Sequence, residues 1–151
     1  MLKFRKTLDG STPVTMLLKR DATNTYEGDI LFWGSSGYVL SGKDGSAITS
    51  LLAGVSEGSV AAAGWTDGDT IAVQVNHSAV YGADTSAAIV ATDLGTNVGL
   101  QNGGVDTADI LNQASAQTNF LGIARIVKIL TTTGTSQTCE VVLNYASPEG
   151  E

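Results

Sequence analysis

The chain has 151 residues, 42% apolar and only 6% aromatic, with eight basic against fifteen acidic side chains and a net charge of −7. That length favours a single domain able to bury a core unaided. The lone Cys139 excludes an intrachain disulfide framework and the usual zinc ligand sets, and reads as a small buried hydrophobe. An acidic body argues against direct nucleic-acid binding, and no apolar run approaches the roughly 20 residues of a membrane helix. "MLKFRKTLDG" lacks the apolar centre of an export signal, so the expectation is a soluble protein made in a reducing cytoplasm.

Charge is unevenly placed. Residues 1–20 carry Lys3, Arg5, Lys6, Lys19 and Arg20 against Asp9 alone, whereas residues 21–151 hold only three basic groups. The first segment reads as a basic arm or edge strand, either solvated or laid on an acidic partner. The rest reads as one β-rich domain. Eighteen glycines, two prolines and short apolar runs bounded by turn formers predict a mainly β fold. The expected architecture is a compact antiparallel β-barrel or sandwich with long loops and at most one or two short helices.

In chain order, "PVTMLLK" predicts a strand with Pro13 at its start, where a missing N–H is tolerated. "YEGDILFWG" follows a Gly-Asp turn with Ile30 and Phe32 on one face and Leu31 and Trp33 on the other, so this strand is covered on both sides and Trp33 belongs to the core. "YVLS" pairs with it across residues 34–37. "LLAGVSEG" and "SAAIVAT" predict further short strands. "DTIAVQVN" alternates best, with Ile71, Val73 and Val75 on one side, and "TDGD" is the turn before it. "GIARIVKIL" also fits a helical face, but its β-branched content favours a strand, joined through "TTTGTSQ" to "TCEVVLN". There Cys139, Val141 and Leu143 share one face.

Residues 101–119 are poor in large apolar side chains. Asn102-Gly103 suggests a tight turn, and a helical turn or two fits Thr107–Ala116 with Asp106 as cap. So long a stretch without a core of its own is either a contact loop or a mobile surface loop.

No catalytic, cofactor or metal site is visible. His77 has no nominated partner and reads as a strand-end residue. "TDGDT" has too few carboxylates for a calcium loop, and "DTAD" from Asp106 to Asp109 suits a helix cap. The acids read as turn chemistry.

The order of features resembles the small decoration, or cement, proteins of tailed-bacteriophage heads. A basic N-terminal segment is followed by "GDILFW…GYVL", "SLLAGVSEGSV", "DGDTIAVQVN", "DLGTNVGL", "TNFLGIARIV" and a final "CEVVLNY" strand, spanning most of the chain from Gly28 to Tyr145. The resemblance implies a non-enzymatic β-rich protein, often trimeric, on the outer capsid surface of the virion. It would bind the lattice of the major capsid protein and reinforce it. No strict motif fixes the contacts. The candidates are Lys3, Phe4, Arg5 and Lys6 of the basic segment, and Asn102, Asp106, Asp109 and Asn112 of the 101–119 loop. A glycan- or receptor-binding β-domain is the alternative, with Trp33, Trp65, Tyr38 and Tyr81 as the available stacking faces; since Trp33 is expected in the core, Trp65 beside its Gly-rich turn is the better exposed candidate. A small hydrolase using His77 is a third.

Overall fold

The computed structural model describes residues 2–41, 51–61, 64, 66, 68–85, 88–101, 110–117, 124–130 and 138–145. The strands among them are β1 (Lys3–Thr7), β2 (Thr15–Lys19), β3 (Ile30–Trp33), β4 (Val39–Ser41), β5 (Leu52–Ser56), β6 (Thr70–Gln74), β7 (Ala79–Asp84), β8 (Asn97–Gln101), β9 (Ile110–Gln117), β10 (Ala124–Ile129) and β11 (Thr138–Leu143). They build a six-stranded sheet in the order β1-β7-β11-β10-β8-β9 and a five-stranded sheet in the order β2-β6-β5-β3-β4. Every named strand pair is antiparallel. Of the two architectures expected, the fold is the sandwich.

Alternation explains how the sheets meet. Ile30, Phe32, Leu52 and Val55 of the five-stranded sheet pack against Tyr81, Val98, Ile126, Cys139, Val141 and Leu143 of the six-stranded one. Simple alternation accounts for these positions except in β5, where Leu52 and Val55 share a face because the pairing with β3 shifts by one residue between Leu31 and Phe32. The five-stranded sheet has a second apolar face, where Leu31, Val39, Ala53, Ile71 and Val73 form their own cluster with Leu18, Val60 and Val75 at its margin. This is why "ILFW" is apolar on both sides. Trp33 is the exception: it ends its strand at the hairpin and is 37% exposed, so it does not belong to the core.

The hairpin joining β3 to β4 turns through residues 34–37, closed by Gly34 N–H on the Tyr38 carbonyl at 2.8 Å. β10 and β11 pair as the C-terminal hairpin, and Cys139, Val141 and Leu143 face inward as expected. The linking "TTTGTSQ" lies outside the described residues.

Two expectations fail. Thr107–Ala116 is not helical where it is described: residues 110–117 form β9, whose backbone completes the open edge of β8 with Leu111 opposite Leu100. Pairing overrides weak local preference there. "SAAIVAT" is not a strand in its described part. Ile89 is buried, but Ala91–Asp93 form a 3-10 turn. There the Asp93 carboxylate accepts the Val90 N–H at 2.8 Å, occupying a donor that a strand would offer to a neighbour.

Candidate contact surface

The first twenty residues supply one of the two outermost strands of each sheet. β1 lies along β7, with Phe4 opposite Tyr81 and a bulge between Phe4 and Lys6. Phe4 turns inward, edge-on to Tyr81 with ring centres 6.4 Å apart, and remains 38% exposed. Lys3, Arg5 and Lys6 are exposed. Arg5 lies across Gly82 so closely that a Cβ there would stand 2.6 Å from its Nε. The segment is anchored at its start, because Leu2 is buried in the core between the sheets and its N–H bonds the Gly28 carbonyl at 3.2 Å.

β2 forms the far edge of the other sheet. Its register on β6 sets Met16 and Leu18 over the second apolar cluster and turns Leu17 away. Leu17 is 72% exposed and Met16 49%. Lys19 holds its ammonium 5.9 Å from the centre of the Tyr38 ring. Arg20, the last of the five early cations, is no surface charge: it is buried, and its guanidinium donates to the carbonyls of Ala61 at 2.9 Å and Thr23 at 3.2 Å.

Of the loop candidates, Asn102, Asp106 and Asp109 lie outside the described residues, as do Trp65 and the Asn102-Gly103 turn. Asn112 sits in β9 opposite Gly99. The structure therefore sets Lys3, Phe4, Arg5 and Lys6 at one edge of the six-stranded sheet and Asn112 on the strand at its other edge.

The acids act as turn formers. In Tyr26–Asp29 and Thr66–Asp69 the aspartate carboxylate accepts the N–H three residues earlier, at 2.8 and 3.0 Å. The aspartate's own N–H bonds the same residue's carbonyl, at 3.0 and 3.1 Å. Gly28 and Gly68 precede them with φ of 86° and 96°, the left-handed conformation this turn needs. Val90–Asp93 repeats both bonds with Thr92 in the glycine's place. The first two turns are legible in the sequence from Gly-Asp; the third has no glycine to mark it.

Asp9 does similar work between β1 and β2. Its carboxylate accepts the Ser11 N–H at 3.0 Å and the Ser78 hydroxyl at 2.9 Å. Hydrogen bonds from Ser11, then Ser78, hold its pKa down at about 2 from an ordinary 3.8. A carboxyl with a lowered folded pKa stabilises above its unfolded value and loses that contribution as pH falls. The urea midpoint of the wild type is therefore expected to exceed that of Asp9→Asn at pH 6, and the gap to close between pH of about 4 and 2. A gap constant over that range contradicts the assignment.

Other groups singled out in the sequence have structural placements. His77 is exposed and stacks flat on Tyr145 at 3.9 Å. Cys139 is fully buried, and burial pushes its thiol up to about 12, which leaves it protonated at neutral pH. Tyr81 is also fully buried and cannot serve as a stacking face. Among the described residues no three metal-ligating side chains come together, and no helix is long and apolar enough to cross a membrane.

The chain matches no protein-family model and no curated protein sequence. The surface has its own geometry: one outermost strand of each sheet, both drawn from one continuous segment, exposing cations on one sheet and aliphatic side chains on the other.

Proposed function

We propose that this chain is a virion structural protein, a capsid decoration module that binds the outer face of the major capsid protein lattice and stabilises the head. The observation that carries this reading is β2. An outermost strand with its row of backbone donors and acceptors, displaying Met16 and the 72%-exposed Leu17, is a template for association. A monomeric protein in solution would ordinarily blunt such an edge with charge, but on a subunit seated among neighbours it becomes contact area. A homotrimer closes such edges against one another without leaving a growing end. Binding to the assembled shell and not to its separated subunits stabilises the shell by mass action, with each weak contact repeated over the lattice.

The test is binding of the full chain to heads that lack it, together with its copy number in purified particles. Saturable binding is expected in a fixed ratio to the shell subunit. Leu17→Glu should weaken binding or trimer formation about tenfold, the effect of losing one well-packed interface anchor. Absence from particles, or no binding to undecorated heads, overturns the proposal. Truncating residues 1–10 is a poor substitute, since it also removes β1 and the buried Leu2.

The exposure of Trp33 favours a second reading, a glycan-binding surface on the virion. Specific retention on a glycan array, lost in Trp33→Ala, would replace the first reading with this one.

A further inference from the structure

Basic side chains from two distant segments end on one face of the six-stranded sheet. The register places Lys3, Gly82, Glu140 and Lys128 on one outward rung. Lys6, Val80, Val142, Arg125 and Asn97 occupy the next. Regular alternation forbids this. Lys3 and Lys6 are three residues apart, as are Arg125 and Lys128, so in regular strands each pair would straddle the sheet. A bulge between Phe4 and Lys6 and another between Ile126 and Lys128 each insert one residue and return the second cation to the outer side. Arg5, the extra residue of the first bulge, lies flat over Gly82, the position whose missing side chain makes room for it.

Five of the chain's eight basic side chains, all exposed, thus share a patch about 14 Å by 7 Å, three strand spacings by two residues. The sheet's strands bring only two acids to it, the half-buried Glu140 opposite Lys128 and Asp84 at the end of β7. β8 and β9 add no ionisable group. The rest of the chain keeps three basic groups against thirteen acids.

We infer that this face docks a carboxylate-rich protein surface; on the reading proposed above, that surface is the outer side of the shell. Arg5 and Arg125 present planar forks that match carboxylates. Between the cations lie Val142, half-buried, and Val127, 38% exposed at the second bulge. This is the mixture of apolar floor and arginine that protein interfaces use. A stiff polyanion such as duplex DNA is disfavoured, because the acidic remainder of the chain would be repelled along its length, whereas a flexible carboxylate chain can gather on this face alone. A discrete acidic patch meets only this face, within a screening distance of about 8 Å in physiological salt.

The test compares the full chain with a variant carrying Lys3→Gln, Lys6→Gln, Arg125→Gln and Lys128→Gln. Undecorated heads, poly-L-glutamate, duplex DNA and phosphatidylserine vesicles serve as separate probes. The wild type should bind heads and poly-L-glutamate, more weakly as salt rises. The variant should lose at least about tenfold on both while its thermal unfolding stays unchanged. Should the fourfold variant fold poorly, Lys3→Gln with Lys128→Gln should still lose about threefold. Equal binding of wild type and variant to heads overturns the face and leaves the proposed function standing. No binding to heads, with poly-L-glutamate bound through these residues, overturns the function and leaves the face standing. DNA or vesicles bound as tightly as poly-L-glutamate, or self-association abolished by the substitutions, overturns the assignment of the partner.

Discussion

Gly54→Ala is expected to destabilise the protein by about 3–4 kcal/mol, read as a fall in the urea midpoint. Gly54 lies in β5 with φ of 152°, beside the irregularity that shifts register between Leu31 and Phe32. An added Cβ would collide with the Gln74 carbonyl oxygen, 2.7 Å from Val73 Cγ1 and 3.0 Å from the Gln74 carbonyl carbon. Two of those atoms are backbone of β6, so no side-chain rotation relieves the clash. The strands must part where Val55 pairs with Gln74 and Ser56 with Val73, and that separation opens both apolar faces of the five-stranded sheet. Against a typical domain stability of roughly 5–15 kcal/mol, such a loss leaves little reserve. A midpoint shift equivalent to less than about 1 kcal/mol would show that the sheet yields there at low cost.

Arg20→Met is expected to cost about 2–4 kcal/mol, nearly as much, for a different reason. The buried guanidinium ties three separate stretches together, through the Thr23 and Ala61 carbonyls and, at 3.8 Å, the Asp69 carboxylate. The Arg20 N–H also bonds the Asp69 carbonyl at 2.9 Å, and the neighbouring Asp21 N–H bonds the Val39 carbonyl of β4 at 2.8 Å. Methionine keeps the volume of the stem but takes the donors from the part-buried Thr23 and Ala61 carbonyls and leaves the Asp69 turn without its cation. Arg20→Lys should recover part of the loss, since a single ammonium cannot reach carbonyls that the planar fork spans. Full stability in Arg20→Met would mean that the guanidinium only fills space.

The fold was legible wherever period and punctuation agreed. Ile71 and Val73 alternate cleanly after a Gly-Asp turn, Cys139, Val141 and Leu143 share a face, and "ILFW" announced a sheet covered on both sides. Each follows from side-chain alternation alone. β9 was hidden because its recruitment depends on the open edge of β8 and not on its own polar sequence. Trp33 was misplaced because alternation says which way a residue points but not whether anything stands opposite at a strand's end. Arg20 was counted with the surface cations, since its carbonyl partners come from loops remote in sequence. The cationic face was hidden for a related reason. Two bulges cancel the odd spacing of Lys3 with Lys6 and of Arg125 with Lys128, and bulges are settled by pairing.

The origin of one outermost strand of each sheet in a single continuous segment also orders events during synthesis. Phe4 must meet Tyr81 and Leu17 must meet Ala72, so β1 and β2 are made well before the strands they pair with and find their place only after them. Until then the backbone groups of β1 and β2 travel unpaired beside Leu17, Met16 and Val14, and closure depends on long-range encounters that come slowly. Nascent chains crowded on one messenger would meet each other through this segment before the rest is made, so assembly of neighbours and completion of the individual subunit draw on the same residues.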